Sequence, residues 1–419
     1  MRISTIQAFN IGLQGMQDNY SKVTRTQEQV SSGKRMLSPA DDPVASVRLL
    51  QLDQQANKLD QYDANLKAAT NSLTQEEATI NAINNNLQRV REIALQAGNG
   101  ALGQADREAL GQELAEREEE LVALFNSRNA RGEYLFGGFQ SQTPPFIKEP
   151  DGTYTYQGDE GQRSIQIAGS KQVAINDNGK KLFVDVPNVN RVVTTADPAN
   201  VGGARISLGV VEDKGAYDTT FYPNDSVTIR VGLDGASYEI LDQNNDPLAP
   251  PVTGVIQPND DQSYQIRFGG VVVTLDGELA ENDEFQITRG AVDGGAGVQE
   301  KRSILQTVAE LRNTLETTGD SQEDKLLRRD QLAIAVENLD NGMNQVLSVQ
   351  TSIGARLNVI ESTQNENAEV KLINQAMTAQ LSELDYAEAL SRLSFETVVL
   401  QAAQQSFVKI SGLSLFNLL

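Results

Sequence analysis

The chain has 419 residues, enough for two to four domains at roughly 150 residues each. Hydrophobic residues make up 39% and aromatic residues 5%, and 57 acidic against 35 basic residues give a net charge of −22. That balance argues against a nucleic-acid backbone or an anionic membrane as the main partner. Histidine and cysteine are absent, which removes Ser-His-Asp and Cys-His catalysis, His- or Cys-ligated zinc, haem ligation and thiol redox chemistry together.

The opening, Met1 to Gly15, has no continuous apolar core and no small-residue cleavage site, so a cleavable secretory signal is not expected. No stretch approaches the roughly 20 apolar residues that a spanning helix needs. Apolar residues then recur alternately three and four apart at Ile6, Phe9, Leu13, Met16, Tyr20 and Val23, reaching Val30 through Gln27. Ser38-Pro39 and Asp42-Pro43 each place a capping residue directly before a proline, which predicts the start of a long helix. Its stripe runs Leu59, Tyr62, Leu66, Ala69, Leu73, Glu76, Ile80, Ile83, Leu87, Val90, Ala94 and Ala97, with Glu76 the one polar member. Gly98-Asn-Gly100 ends it, and Asp106 is positioned to cap the next helix.

Of 33 glycines, 19 fall within residues 140–297, and so do ten of the 12 prolines. Because these residues cost about 1 and 3 kcal/mol in helix interiors, the middle reads as short strands, such as 154–156, 226–231 and 271–275. Turns at Asp151-Gly152, Asp234-Gly235 and Asp276-Gly277 separate them. Heptads resume with Leu332, Val336, Leu339, Met343, Val346, Gln350, Ile353, Leu357 and Ile360, then with Leu390, Leu393, Thr397, Leu400, Gln404 and Phe407. Sustained spacing of this kind is coiled-coil packing, and Gln27, Gln350 and Gln404 are expected to be register-setting polar core positions.

The expected fold is α+β: an elongated rod of long antiparallel coiled-coil helices from both chain ends, with an inserted mainly-β outer region. Residues 1–40 with 380–419 are expected to form a terminal coiled-coil polymerisation region. Residues 41–139 with 298–379 form a helical bundle, and 140–297 the β-rich part. Ile3, Ile11, Val398, Val399 and Val408 lie outside the paired stripes, so burial on more than one side is expected, as in a polymer. The assembly interface is assigned to Ile6, Phe9, Leu13, Met16, Tyr20, Val23, Leu390, Leu393, Leu400 and Phe407.

No chemistry rises above this pattern. Asp242-x-Asn244-x-Asp246 begins like a calcium loop but has Pro247 where the sharp turn needs glycine. Gly295-Ala-Gly297 lacks the third glycine of a dinucleotide fingerprint, and Glu116 to Glu120 reads as a solvated helix face. No catalytic residue, cofactor or metal is assigned. A carboxylate-dependent hydrolase in the β region is the rival class, since 57 acidic residues guarantee accidental pairs.

Several segments do form a recognisable set: Met1-Arg-Ile-Ser-Thr5, Gln29-Val-Ser-Ser-Gly-Lys-Arg35, Ser38-Pro-Ala-Asp-Asp-Pro43, Ile83 to Ile93, Asn129-Ala-Arg-Gly132, Leu384-Asp-Tyr-Ala387 and Ser414 to Leu419. Together they resemble the flagellin family over roughly residues 1–139 and 298–419. The Arg-Ile-Ser-Thr opening and Asp-Asp-Pro are similar to the members that join hook to filament; filament-building members have Asn-Thr-Asn and Asp-Asp-Ala there. The resemblance implies a non-enzymatic adaptor of the extracellular flagellum, at the hook–filament junction, secreted through the flagellar export channel. Implied partners are the first hook-associated protein, flagellin, further copies of the chain in a ring, the export apparatus and an export chaperone. A flagellin-type filament subunit is the alternative. Gln88, Arg89 and Glu113 occupy positions similar to those by which flagellin meets its innate immune receptor, with Ile93 in place of leucine, so a receptor-like surface is also implied.

Overall fold

The computed structural model describes residues 2–256, 263–289 and 300–416, with backbone only for 2–6, 8, 249 and 410–416. Helices α1 (Arg2–Ser32), α2 (Pro43–Ala97) and α3 (Gln104–Phe125) come first. Thirteen strands follow: β1 (Phe146–Lys148), β2 (Tyr154–Tyr156), β3 (Ser164–Gln166), β4 (Gln172–Ala174), β5 (Val192–Ala196), β6 (Arg205–Ile206), β7 (Val210–Val211), β8 (Ser226–Val231), β9 (Ser237–Leu241), β10 (Pro247–Val255), β11 (Ser263–Phe268), β12 (Val271–Asp276) and β13 (Glu284–Arg289). Helices α4 (Ile304–Thr317), α5 (Gln322–Ser382) and α6 (Tyr386–Phe416) complete the described chain. Two compact units result: Met1–Lys67 with Gln166–Lys171 and Glu361–Leu419, and Ala68–Ile165 with Gln172–Ile360.

Helix boundaries follow local chemistry. Asp42 accepts the Ala45 N–H at 3.0 Å, which caps α2 in front of Pro43. Past Ala97, the Gly98 N–H closes on the Ala94 carbonyl at 3.2 Å. Asp106 does not cap α3. It sits three residues inside the cap, Gly103, and reaches back to the Gly103 N–H at 3.3 Å, the acidic half of a capping box.

In the second unit, α2 and α5 run antiparallel, with Arg91 on Asp340 at 2.6 Å and Gln350 on Asn81 at 2.8 Å. Leu73, Ile80, Leu87 and Ala94 are buried seven apart, and so are Ala69, Glu76, Ile83, Val90 and Ala97. Leu332, Leu339, Val346, Ile353 and Ile360 answer them from α5. Gln350 is half-buried at this seam. In the first unit α2 keeps only one buried line, Ala45, Leu52, Leu59 and Leu66, because Arg48 and Gln55 on the other line are exposed.

The β-rich region has two parts. The hairpin β1–β2 sits on α3, where Asn126 and the Phe146 backbone exchange two hydrogen bonds of 2.9 and 3.0 Å. Phe125 stacks on Phe183 with ring centroids 3.8 Å apart. The buried Glu118 carboxylate collects Lys148, Tyr154 and Arg312, tying hairpin, α3 and α4 together. Strands β10-β9-β8-β13-β5 form an antiparallel sheet, and β11-β12-β6, with β7 also on β12, forms a second. The two sheets share one core containing Val227, Ile229, Phe285 and Ile287 from the first and Ile266, Val273 and Leu275 from the second. Gly269 and Gly270, both at positive φ, turn the β11–β12 hairpin. The 242–246 segment is a hairpin turn in which Asp242 accepts the N–H groups of Asn244 and Asp246 at 2.8 and 3.0 Å. Gly295-Ala-Gly297 lies outside the described residues.

Candidate assembly surface

Within the first unit α1 and α6 pair antiparallel. Phe9 meets Phe407 with ring centroids 5.0 Å apart. Thr26 donates to Glu396 at 2.7 Å, and Arg392 to Gln29 at 3.0 Å. The junction after α1 is held closely. Gln29 donates to the Arg35 carbonyl at 2.6 Å, and the Arg35 N–H to the Ser382 carbonyl at 2.8 Å. The Leu384 N–H reaches the Gly33 carbonyl at 3.0 Å, and Lys34 bridges Glu383 as in an antiparallel ladder. Gly33 is required there. Its φ is +69°, and a Cβ would lie 2.9 Å from the Tyr386 hydroxyl.

The Ser-Pro-Ala-Asp-Asp-Pro segment is a folded staple. Asp41 accepts the N–H groups of Leu37 and Ser38 at 2.9 and 3.1 Å and pairs with Arg25 at 2.7 Å. Those backbone donors, with the Ser38 hydroxyl and the Arg25 charge, hold its carboxyl below the usual carboxylate range. Asp385 accepts the N–H groups of Ala387 and Glu388 and so starts α6.

The structure places the expected interface residues unevenly. Leu13, Met16, Val23, Leu393, Leu400 and Phe407 are half-buried, whereas Phe9, Tyr20 and Leu390 are exposed. The Ile6 side chain lies outside the described residues. Gln27 and Gln404 are exposed and are not core positions. The inward line of α1 goes through Asn19 and Thr26 instead of Tyr20 and Gln27, and on α6 Ala389 replaces Leu390. An apolar stripe several residues wide leaves open which of its edges faces the partner helix. The complementary pairs Thr26–Glu396 and Gln29–Arg392 were the missed signal, since polar partners on both helices fix the face that apolar spacing leaves open.

In α1 the only described side chains that are fully buried are Thr26 and Gln29, and in α6 the only one is Ala389. The pair therefore encloses no large apolar side chain. It leaves Ile11, Phe395, Val398 and Val408 each more than 60% exposed. Fifteen of the twenty-five exposed large apolar side chains among the described residues belong to this smaller unit. Such density of exposed apolar surface marks a contact face.

In the second unit, Arg89 makes a two-pronged pair with Glu113 at 2.7 and 3.0 Å and also meets Glu92 at 3.0 Å. The Glu113 hydrogen bonds, with Glu92 behind them, raise the Arg89 pKa, and Arg89 lowers that of Glu113. Gln88 beside them is exposed. Among the described residues no acidic cluster is arranged to hold a metal ion, and no helix is long and apolar enough to cross a membrane.

Residues 3–141 match the family model of the bacterial flagellin N-terminal helical region. Over 418 residues the chain is 22% identical to flagellar hook-associated protein 3 of Escherichia coli strain K12, covering 100% of this chain and 99% of that protein. Phase 2 flagellin of Salmonella typhimurium is 26% identical over 275 residues, which is 64% of this chain but 47% of the flagellin. Among solved structures, flagellar hook-associated protein 3 of Legionella pneumophila superposes with a TM-score of 0.64 at 27% identity, covering 79% of this chain and 98% of that one.

Proposed function

We infer that this chain, flagellin-like in its N-terminal third and similar over its whole length to hook-associated protein 3, is a structural protein of the bacterial flagellum. It joins hook to filament as a mechanical adaptor and offers the surface on which flagellin assembles. Likeness over the whole length supports this reading: the hook-associated relative aligns over 99% of itself, and the hook-associated protein of Legionella pneumophila superposes with a TM-score of 0.64 over 98% of its chain. The single observation that carries the assembly role is the α1–α6 pair, whose fully buried described side chains are only Thr26, Gln29 and Ala389 while large apolar ones lie on its surface. An isolated pair of that kind does not offset the entropy of ordering its residues, so neighbouring subunits complete it.

On this reading further copies pack side by side in a ring through Phe9, Leu13, Met16, Val23, Leu393, Leu400 and Phe407, with Ile6, Tyr20 and Leu390 in the same contact. The ring stands on the first hook-associated protein and carries flagellin above. The subunit travels through the flagellar export channel with an export chaperone and works outside the cell, without a catalytic role. Gln88, Arg89 and Glu113 form the candidate receptor-like surface. Electron microscopy of flagella from a strain lacking the gene tests the assignment. Bare hooks with flagellin released into the medium are expected, and filaments of normal number and length would overturn it.

A further inference from the structure

Glu76 is the one polar residue in the long α2 stripe, and the fold buries it to 1% exposure. Its Oε1 accepts the Asp177 N–H at 2.9 Å, and its Oε2 is enclosed without a hydrogen-bond partner among the described residues. The charged groups that face it come from two neighbouring elements. Asp177 and Arg163 lie on the segments flanking the β3–β4 hairpin, and Arg356 is on α5. Neither arginine is committed to Glu76. Arg356 gives Nη2 to both Asp177 oxygens at 2.7 and 3.0 Å, and Arg163 donates to Glu133 at 3.2 Å. An ionised Glu76 would thus be a second buried carboxylate beside Asp177, which already holds Nη2 of Arg356, while Nη1 of Arg356 is buried without a hydrogen-bond partner among the described residues.

We propose that Glu76 is a protonated latch: as a neutral acid it lets the 159–178 segment seat on α2 and α5, and loss of its proton as pH rises loosens that segment. The segment's other hydrogen bond to α2 among the described residues, from Asn65 to the Gln166 carbonyl at 2.7 Å, is exposed. Asn176 and Asp177 organise it internally through Arg163 N–H and Gln162, at 2.7 and 2.9 Å. Burial, reinforced by the Asp177 charge, pushes the Glu76 carboxyl well above the ordinary carboxylate range. Glu310 and Asp330 are also raised by burial, but each already faces an arginine, Arg302 and Arg329 respectively.

The sign follows from proton linkage. A carboxyl raised in the folded state contributes stability that is fully present below its unfolded value of 4.5 and is lost as pH rises through its folded value. Between those two values one proton changes the opening equilibrium tenfold per pH unit. Hydrogen exchange of the 159–178 peptides from pH 5 to 8, corrected for intrinsic exchange, reads this directly. Protection in the native sequence should fall with pH by up to tenfold per unit, and in Glu76→Gln it should not vary. In Asp177→Asn the freed Arg356 should pair with Glu76, and the slope should again vanish. A slope that persists in Glu76→Gln, or no slope in the native sequence, overturns the proposal. Infrared spectra of the native protein labelled at its glutamate carboxyls give a readout that needs no variant, and ionisation of all glutamates together, with no carboxyl that stays protonated above the rest, would also overturn it.

Discussion

At the scale of single residues, Leu400 and Ile353 carry the same chemistry into opposite environments. Ile353 is fully enclosed between α5 and its neighbours, while Leu400 is half-buried on a helix pair that lacks a core. Ile353→Asp should therefore cost the isolated protein several kcal/mol, the penalty for an unpaired buried charge. Leu400→Asp should cost about 0.5 kcal/mol or less, as at other open sites, yet leave few filaments and abundant released flagellin. Denaturant unfolding beside filament counts checks the split, and equal destabilisation of the two monomers would contradict it. Glu118 tests the opposite proton linkage from Glu76. Burial alone would raise its carboxyl, but the hydrogen bonds from Tyr154, Arg312 and Lys148 outweigh that and hold it low. Its contribution is present above the ordinary glutamate range and is lost as pH falls through its lowered value. Glu118→Gln should destabilise the second unit by about 3 kcal/mol at neutral pH, with the difference from the native protein closing in acid. A gap that stays constant down to acid unfolding would show that the charge does not matter.

At the scale of elements, the β-rich region should divide under mutation as it divides in structure. Val192 and Arg289 are cross-strand partners at the two ends of the sheet pair, so a few Gly/Ser residues can bridge them in place of 192–289. That replacement should preserve the helical circular dichroism signal. Removing 140–191 should lower the melting temperature sharply, because Phe146, Tyr154 and Phe183 are built into the contacts of α3. A collapse of helicity in the first variant would show that the sheets are integral to the helices. Much of this was legible in the sequence. Glycine and proline density marked where helices stop, Asp42-Pro43 marked the start of α2, and heptad spacing identified the buried lines of α2 and one line of α5, Leu332 to Ile360, whereas the second line of α5 runs through Ala335, Gly342 and Val349 and not through Val336, Met343 and Gln350. The split of the β region was not legible, because the partners of Phe146 and Glu118 are brought to them only by folding. The rotation of the terminal pair was hidden for a related reason. A stripe of apolar residues more than one position wide does not say which edge faces the partner, and Thr26 and Gln29 became recognisable only once Glu396 and Arg392 stood opposite them.

For the whole molecule, charge and apolar surface oppose each other. Each copy carries −22, so copies repel at long range, while the exposed side chains of the α1–α6 pair attract at contact. Added salt screens the repulsion over a Debye length of about 8 Å at 0.15 M and leaves the apolar contact intact. Self-association of the purified chain should accordingly strengthen from low to moderate salt in sedimentation velocity. Association that weakens with salt would mean that ion pairs, not apolar contacts, dominate the interface.

The clasp between Gly33–Arg35 and Ser382–Leu384 has a mechanical meaning. The chain passes between the terminal helices and the rest of the first unit twice, and the two passing strands are stitched by backbone hydrogen bonds. A single strand would be a swivel, free to spin about its own bonds. Two strands joined side by side form a flat strap, which yields to bending across its thin direction and resists torsion.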